Sequence, residues 1–107
     1  MRLISGPPKE VVFGLAQDFA EVAIEIYRLQ EQDDPAREQS IGKLKAEGAP
    51  TSLSELVDMA GSTVVRQKMG WYRRNQFLGG LQGFCVFLGM PRADAAHLTN
   101  LIRAGLR

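Results

Sequence analysis

Residues 11–29 have the sequence VVFGLAQDFAEVAIEIYRL, and this stretch decides the fold. Its large apolar side chains recur at alternating spacings of 3 and 4 residues, which places them on one face of an α-helix. Pro7 and Pro8 precede the stretch, and proline suits the first turn of a helix. The sequence therefore predicts a long amphipathic first helix. Its apolar face, called the seam below, consists of Val12, Leu15, Phe19, Val22, Ile26 and Leu29.

The seam must be covered, either by other helices of the same chain or by a second copy. It extends over about three heptads, too few for an independent coiled coil. We prefer the first alternative, an intramolecular core. Two glycines, Gly79 and Gly83, would share one helical face and allow the first helix or a symmetry mate to approach closely. The candidate residues for self-association are therefore Val12, Leu15, Phe19, Val22, Ile26, Gly79 and Gly83.

Residues 30–50 differ in kind from the first helix, because charged residues, glycine and proline are frequent there. This polar connector is expected to be either mobile or locally helical, with a short helix at residues 36–47. A further helical region is predicted to begin at Ser52. Glu55 follows it at the spacing of a capping box, in which each residue satisfies a backbone N–H group of the other.

Residues 64–88 are predicted to form one long helix rich in glycine and aromatic residues. Its weak point is expected at Gly79 and Gly80, because each glycine inside a helix costs roughly 1 kcal/mol relative to alanine. Gly89 suits the end of this helix, and Pro91 suits the start of the last one.

All of these elements are helices, and the chain is short. Its 107 residues, 45% of them hydrophobic, suffice for one core with little left for a second. We therefore expect an all-α protein with a single helical domain over residues 1–107. The expected architecture is a small bundle of about four helices, as a monomer or a homodimer. In it the first helix packs on the long helix that is rich in glycine and aromatic residues.

The charges are unevenly distributed along the chain. Residues 1–60 carry 11 acidic and 6 basic side chains, whereas residues 61–107 carry 1 acidic and 7 basic ones, giving formal charges of −5 and +6. Part of the acidic excess lies on the flank of the first helix, at Asp18, Glu21 and Glu25. We expect these carboxylates to neutralise the basic half inside the bundle or a dimer. If they do not, the basic half is available to a partner.

The basic residues between positions 66 and 74 alternate with aromatic and amide side chains. Such a mixture suits an acidic protein partner and also the phosphates and bases of a nucleic acid. The predicted function is a small non-enzymatic protein-interaction or regulatory module, and the alternative is a nucleic-acid-binding protein. The candidate partner-binding residues are Arg66, Lys68, Trp71, Tyr72, Arg73, Arg74 and Asn75.

The nucleic-acid alternative includes a helix-turn-helix at residues 53–74. Its turn would lie at Ala60 and Gly61, and residues 64–74 would form the recognition helix. The fit is partial, because Gln67 occupies a position where this motif usually buries an aliphatic side chain. A chance match is the competing interpretation.

The sequence offers little for catalysis, cofactor binding or metal binding. His97 is the single histidine and Cys85 the single cysteine, and they lie in an alanine-rich and an apolar segment respectively. Neither has the neighbours that a nucleophile, a general base or a metal site requires. We therefore predict no enzyme activity, no cofactor and no bound metal.

The single cysteine suits a reducing compartment, and the N-terminus lacks the apolar region of a signal peptide. We therefore expect a cytoplasmic protein. Residues 77–90 form the most hydrophobic stretch, but they are fewer than the roughly 20 apolar residues that span a bilayer. They are predicted to be buried core, and no membrane contact is expected.

The long apolar helix ends with Phe87, Leu88, Gly89, Met90 and Pro91. In its size, its helix content and this ending, the chain resembles the small helical antiactivators, which sequester a transcription factor. The resemblance implies a helical regulatory protein that binds another protein. It assigns no role to individual residues.

Overall fold

The computed structural model describes residues 6–106, which form five α-helices and contain no strand. The helices are α1 (Lys9–Arg28), α2 (Asp34–Ala46), α3 (Leu53–Arg66), α4 (Trp71–Phe87) and α5 (Arg92–Gly105), and a short 3₁₀ segment, Leu29–Glu31, follows α1. The predicted all-α fold is confirmed. None of these helices combines the length and the apolar content needed to cross a bilayer.

Four of the helices, α1, α3, α4 and α5, pack side by side as a bundle. α1 lies against α4 and α3, and α5 also lies against both of these helices. α1 and α4 run in the same direction, because Gly6, just before α1, lies beside Met69 and Arg73 at the start of α4. At the other end, Arg28 Nη2 donates a hydrogen bond to the Leu88 carbonyl oxygen at 3.3 Å. The predicted packing of the first helix on the glycine- and aromatic-rich helix is therefore confirmed.

The seam of α1 faces the interior of this bundle. Val12 and Ile26 are 0% and 6% exposed, and Leu15, Phe19 and Val22 pack against the buried core. The seam thus forms the intramolecular core that we preferred, and Val12 and Ile26 have no surface left for contact with a second copy. Three alanines outside the seam are as deeply buried as Val12: Ala16, Ala20 and Ala23.

Gly80 allows the close approach of α1 and α4. A Cβ atom there would lie 2.9 Å from Phe13 Cδ1 and 3.3 Å from Ala16 Cβ. Gly79 and Gly83 are exposed, and no atom lies within 4 Å of the corresponding Cβ positions. The predicted contact of these two glycines with the first helix is therefore wrong. Successive side chains of a helix point about 100° apart, so Gly80 faces α1 while Gly79, one residue earlier, does not.

The helix predicted over residues 64–88 is interrupted, so that prediction is wrong. Between α3 and α4 the chain turns at Lys68, which adopts a left-handed φ of 54°. The next residue, Met69, donates a backbone hydrogen bond to the Val64 carbonyl oxygen at 3.1 Å and is only 4% exposed. Burial of the Met69 side chain therefore holds a turn in which lysine takes the place usually given to glycine.

The turn on which the helix-turn-helix prediction depended does not exist in the described chain. α3 runs without a break through Ala60 and Gly61, and Gly61 lies beside Leu106 after α5. The predicted motif is therefore wrong in its geometry.

Two predicted helix boundaries are confirmed by their hydrogen bonds. Ser52 Oγ accepts a bond from the Glu55 amide at 3.2 Å, and α3 begins at the next residue. Beyond the end of α4, Gly89 has a φ of 112°, and the Met90 amide donates to the Cys85 carbonyl oxygen at 2.9 Å. These are the bonds expected of a capping Ser and of a glycine that ends a helix. The return bond of the predicted capping box differs, because the Glu55 carboxylate accepts from the Thr51 amide, at 3.1 Å, instead of the Ser52 amide.

The polar connector contains a helix, α2, so the locally helical alternative is confirmed. The Asp33 carboxylate accepts a hydrogen bond from the Ala36 amide at 3.0 Å and caps the start of this helix. Arg37 fastens α2 to the preceding segment, because its guanidinium donates to the carbonyl oxygens of Leu29 and Gln32, at 3.1 and 2.9 Å.

Residues 77–90 are buried on one side only. Phe77 and Cys85 are fully buried, whereas Phe87 is 84% exposed. The prediction that this segment is buried core is therefore wrong for the outer face of α4.

Candidate partner-binding surface

The start of α4 presents two exposed aromatic side chains next to three cations. Trp71 is 78% exposed and Tyr72 is 47% exposed. Burial of Met69 anchors the turn that precedes α4, while Lys68 in the same turn is exposed. We call this surface the α4 corner, and it consists of Lys68, Trp71, Tyr72, Arg73, Arg74 and Asn75.

Arg73 is held by contacts within the fold. Its Nη1 donates a hydrogen bond to Gln76 Oε1 at 2.6 Å, and its guanidinium carbon lies 5.9 Å from the centroid of the Tyr72 ring. That distance is at the outer limit of a cation–π contact. The Arg73 Cγ also lies beside Gly6. Arg73 therefore positions the Tyr72 ring more than it offers a charge to a partner.

Arg74 has more capacity to bind a partner. Its side chain is half-buried, and its Nε is buried without a hydrogen-bond partner among the described residues. The Nε of Arg73 is also buried and has no hydrogen-bond partner among the described residues. A buried Nε is out of a partner's reach, so the terminal Nη groups are the atoms that Arg74 can offer to an acidic partner.

The backbone adds positive potential to the α4 corner. α4 begins after Gly70, which has no side chain to cap the first-turn N–H groups, and the first turn contains no acidic residue. These N–H groups form the positive end of the helix dipole. The cations of the corner therefore lie at a helix end that itself favours an anionic group.

The acidic flank of α1 does not neutralise the α4 corner. Asp18, Glu21 and Glu25 are exposed, and the one salt bridge among the described residues joins Arg37 to Asp34 at 3.3 Å. The expected neutralisation within the chain is therefore wrong. The reason is the parallel arrangement of α1 and α4, which places the corner level with the start of α1. Asp18 lies roughly 14 Å further along the helix axis.

Arg66 belongs to a different surface, although it lies close to the α4 corner in sequence. In the last turn of α3 its Nη2 donates a hydrogen bond to Thr63 Oγ1 at 3.2 Å, and the side chain lines a groove between α3 and α5. The structure therefore divides the predicted partner-binding residues. Six belong to the start of α4 or to the turn before it, and Arg66 lines the groove.

The groove between α3 and α5 was not predicted from the sequence. It has a volume of about 610 Å³ and contains Val65, which is 68% exposed. The available signal was the recurrence of Asp58, Ser62 and Val65 at spacings of 4 and 3 residues. That spacing forms a stripe on one side of a helix, here the side away from the bundle core.

Groups that often carry catalysis lie elsewhere. Cys85 is fully buried, and desolvation raises the pKa of its thiol to about 11, so the thiol stays protonated at neutral pH. Tyr27 Oη donates a hydrogen bond to Asp94 Oδ2 at 2.9 Å, and this bond raises the pKa of Tyr27. His97 lies beside that pair, on a cavity of about 160 Å³. Within residues 6–106, no three His, Cys, Asp or Glu side chains are grouped to hold a metal ion.

Comparison with known proteins gives no match among family models, curated proteins or solved structures.

Proposed function

We propose that the chain is a small non-enzymatic protein-interaction module with a regulatory role, and that it binds an acidic segment of a partner protein at the α4 corner. The observation that carries the proposal is Trp71, which is 78% exposed at the positive end of α4. Tryptophan and arginine are the residues most often found at the energetic centre of protein interfaces. Lys68 and Arg74 supply cations beside it that no carboxylate of the described chain neutralises.

The aromatic and charged parts of the α4 corner contribute in different ways. Covering the exposed part of Trp71 removes on the order of 150 Å² from water, worth up to about 4 kcal/mol. A carboxylate at the N-terminus of α4 adds about 0.3–1 kcal/mol. Trp71 is therefore the main anchor, and the cations select an acidic partner and orient it.

The proposal includes a cytoplasmic location, which the single buried cysteine suits, because Cys85 needs no oxidising environment. The regulatory role is the one that the resemblance to antiactivators implies. Identification of the partner would test both the location and the regulatory role.

Isothermal titration with an acidic amphipathic peptide, rich in glutamate and leucine, tests the surface. We expect Trp71→Ala to weaken binding at least tenfold and Arg74→Gln to weaken it severalfold. Lys45→Gln removes one exposed charge from α2 and serves as the matched control, with an expected change of less than twofold. Unchanged affinity of Trp71→Ala would exclude the α4 corner as the binding surface.

The nucleic-acid alternative has one observation in its favour. An exposed tryptophan one helical turn from an arginine, here Trp71 and Arg74, suits the stacking of an unpaired base. Contact of the three cations of the corner with phosphates would make the logarithm of the binding constant fall with the logarithm of salt concentration, with a slope of about −2. A gel-shift series with a single-stranded oligonucleotide decides the matter. Retardation with that salt dependence supports the alternative, and no retardation at low salt excludes it.

A further inference from the structure

The groove between α3 and α5 is apolar inside and charged at its rim. Val57 and Val65 line it from α3, and Ile102 and Leu106 line it from the side of α5. Asp58 and Arg66 stand at its edge on α3. Its volume of about 610 Å³ is large enough to receive side chains of another helix.

The two rim charges have no partner of opposite charge within the described chain. The one salt bridge there joins Arg37 to Asp34. Asp58 and Arg66 are both exposed and lie two turns apart on α3, roughly 12 Å along its axis. Val65, next to Arg66, is 68% exposed. The outer stripe of α3 therefore has opposite charges at its two ends, Ser62 at its centre and an exposed valine beside Arg66.

We propose that this groove is the docking site for α3 of a second copy of the chain, in an antiparallel homodimer. Two α3 helices that cross at Ser62 on a two-fold axis place Asp58 of each copy opposite Arg66 of the other. Both charge pairs then form at once, because a two-fold contact is reciprocal. Val65 of each copy enters the other's groove, between Ile102 and Leu106.

Charge complementarity identifies a second copy as the occupant. A parallel pair of α3 helices would set Asp58 against Asp58 and Arg66 against Arg66, whereas the antiparallel pair satisfies both. Gly61 and Ser62 lie at the crossing point, and small residues there allow the helix backbones to approach closely. The interface differs from the alternative of self-association through the seam, which is buried in the core. It is also separate from the α4 corner, so the two proposals can fail independently.

Charge reversal tests the arrangement by sedimentation equilibrium. We expect the unmodified chain to dimerise, with twice the monomer mass of 11.8 kDa. Asp58→Arg and Arg66→Glu each place like charges opposite one another and should weaken dimerisation at least tenfold. The double variant restores opposite charges at both contacts and should return to within about threefold of the unmodified chain. An equimolar mixture of the two single variants should form a heterodimer.

The double variant is the most selective, because it restores both pairs only if residue 58 of one copy lies opposite residue 66 of the other. The mixture tests whether the contact is electrostatic, since one single variant is positive and the other negative at both positions. A chain that stays monomeric up to millimolar concentration would overturn the proposal, as would a double variant or a mixture no more dimeric than the single variants. If a single variant fails to fold by circular dichroism, Val65→Asp at the exposed apolar position of the stripe replaces it and should also abolish dimerisation. Trp71→Ala should leave the dimer unchanged.

Discussion

A methyl group added at Gly80 tests the packing of α1 on α4. A Cβ atom there would lie 2.9 Å from Phe13 Cδ1 and 3.1 Å from Phe13 Cε1, whereas ordinary contacts begin at 3.4 Å. The half-buried Phe13 ring would therefore have to move. Gly79→Ala is the matched control one residue earlier, because its methyl group would have no atom within 4 Å.

The two variants share one contribution to the free energy of unfolding and differ in a second. Both gain about 1 kcal/mol from the higher helix propensity of alanine. Gly80→Ala alone incurs an overpacking penalty of about 1–3 kcal/mol. We expect Gly79→Ala to raise the free energy of unfolding by about 1 kcal/mol, and Gly80→Ala to leave it unchanged or to lower it by up to about 2 kcal/mol.

Urea unfolding followed by far-ultraviolet circular dichroism measures both values. Gly83→Ala repeats the control on the same exposed face, and its free energy of unfolding should match that of Gly79→Ala. If Gly80→Ala is as stable as Gly79→Ala, α1 does not approach α4 at residue 80, and α4 packs on α1 with a different face.

Two further predictions concern the turn before α4 and the buried thiol. Lys68→Gly should raise the free energy of unfolding by about 0.5–1 kcal/mol in urea titrations, because the left-handed φ of 54° strains lysine and alanine but not glycine. Lys68→Ala should therefore show no such gain. Burial raises the pKa of Cys85 from 9.0 to about 11, so the unfolded chain loses this proton first and stability falls between these two pH values. The loss is about 3 kcal/mol. The urea midpoint of Cys85→Ala should fall less over this range, and parallel pH curves for the two proteins would contradict the burial of a protonated thiol.

The first helix and two of the helix ends were predictable because their signals are local. The seam of α1 is a periodic pattern, and the caps at Ser52 and Gly89 depend on residues within one turn of the helix end. The break before α4 has no such signal. Lysine is not a residue that marks a left-handed turn, and the break depends on the burial of Met69 among residues distant in sequence.

The composition of the α4 corner was predictable, but its exposure and its charge balance were not. Apolar side chains occur on most sides of α4, so its sequence does not indicate which face packs on α1 or which glycine meets α1. The failure of Asp18 and its neighbours to neutralise the corner follows from the parallel direction of α1 and α4. That direction is a property of the tertiary fold and has no signature in the charge pattern.

Site-specific photo-cross-linking in the cells that make this protein tests its proposed function most directly. A photoreactive residue in place of the exposed Asn75, one helical turn from Trp71, should give a cross-linked product that is larger than the chain and resistant to nuclease, because the partner is a protein. The same group at Ala93, an exposed residue in the first turn of α5, is the control and should give no such product. Trp71→Ala and Arg74→Gln should each reduce the yield from position 75. A nuclease-sensitive product, or equal products from both positions, would contradict a protein partner bound at the α4 corner.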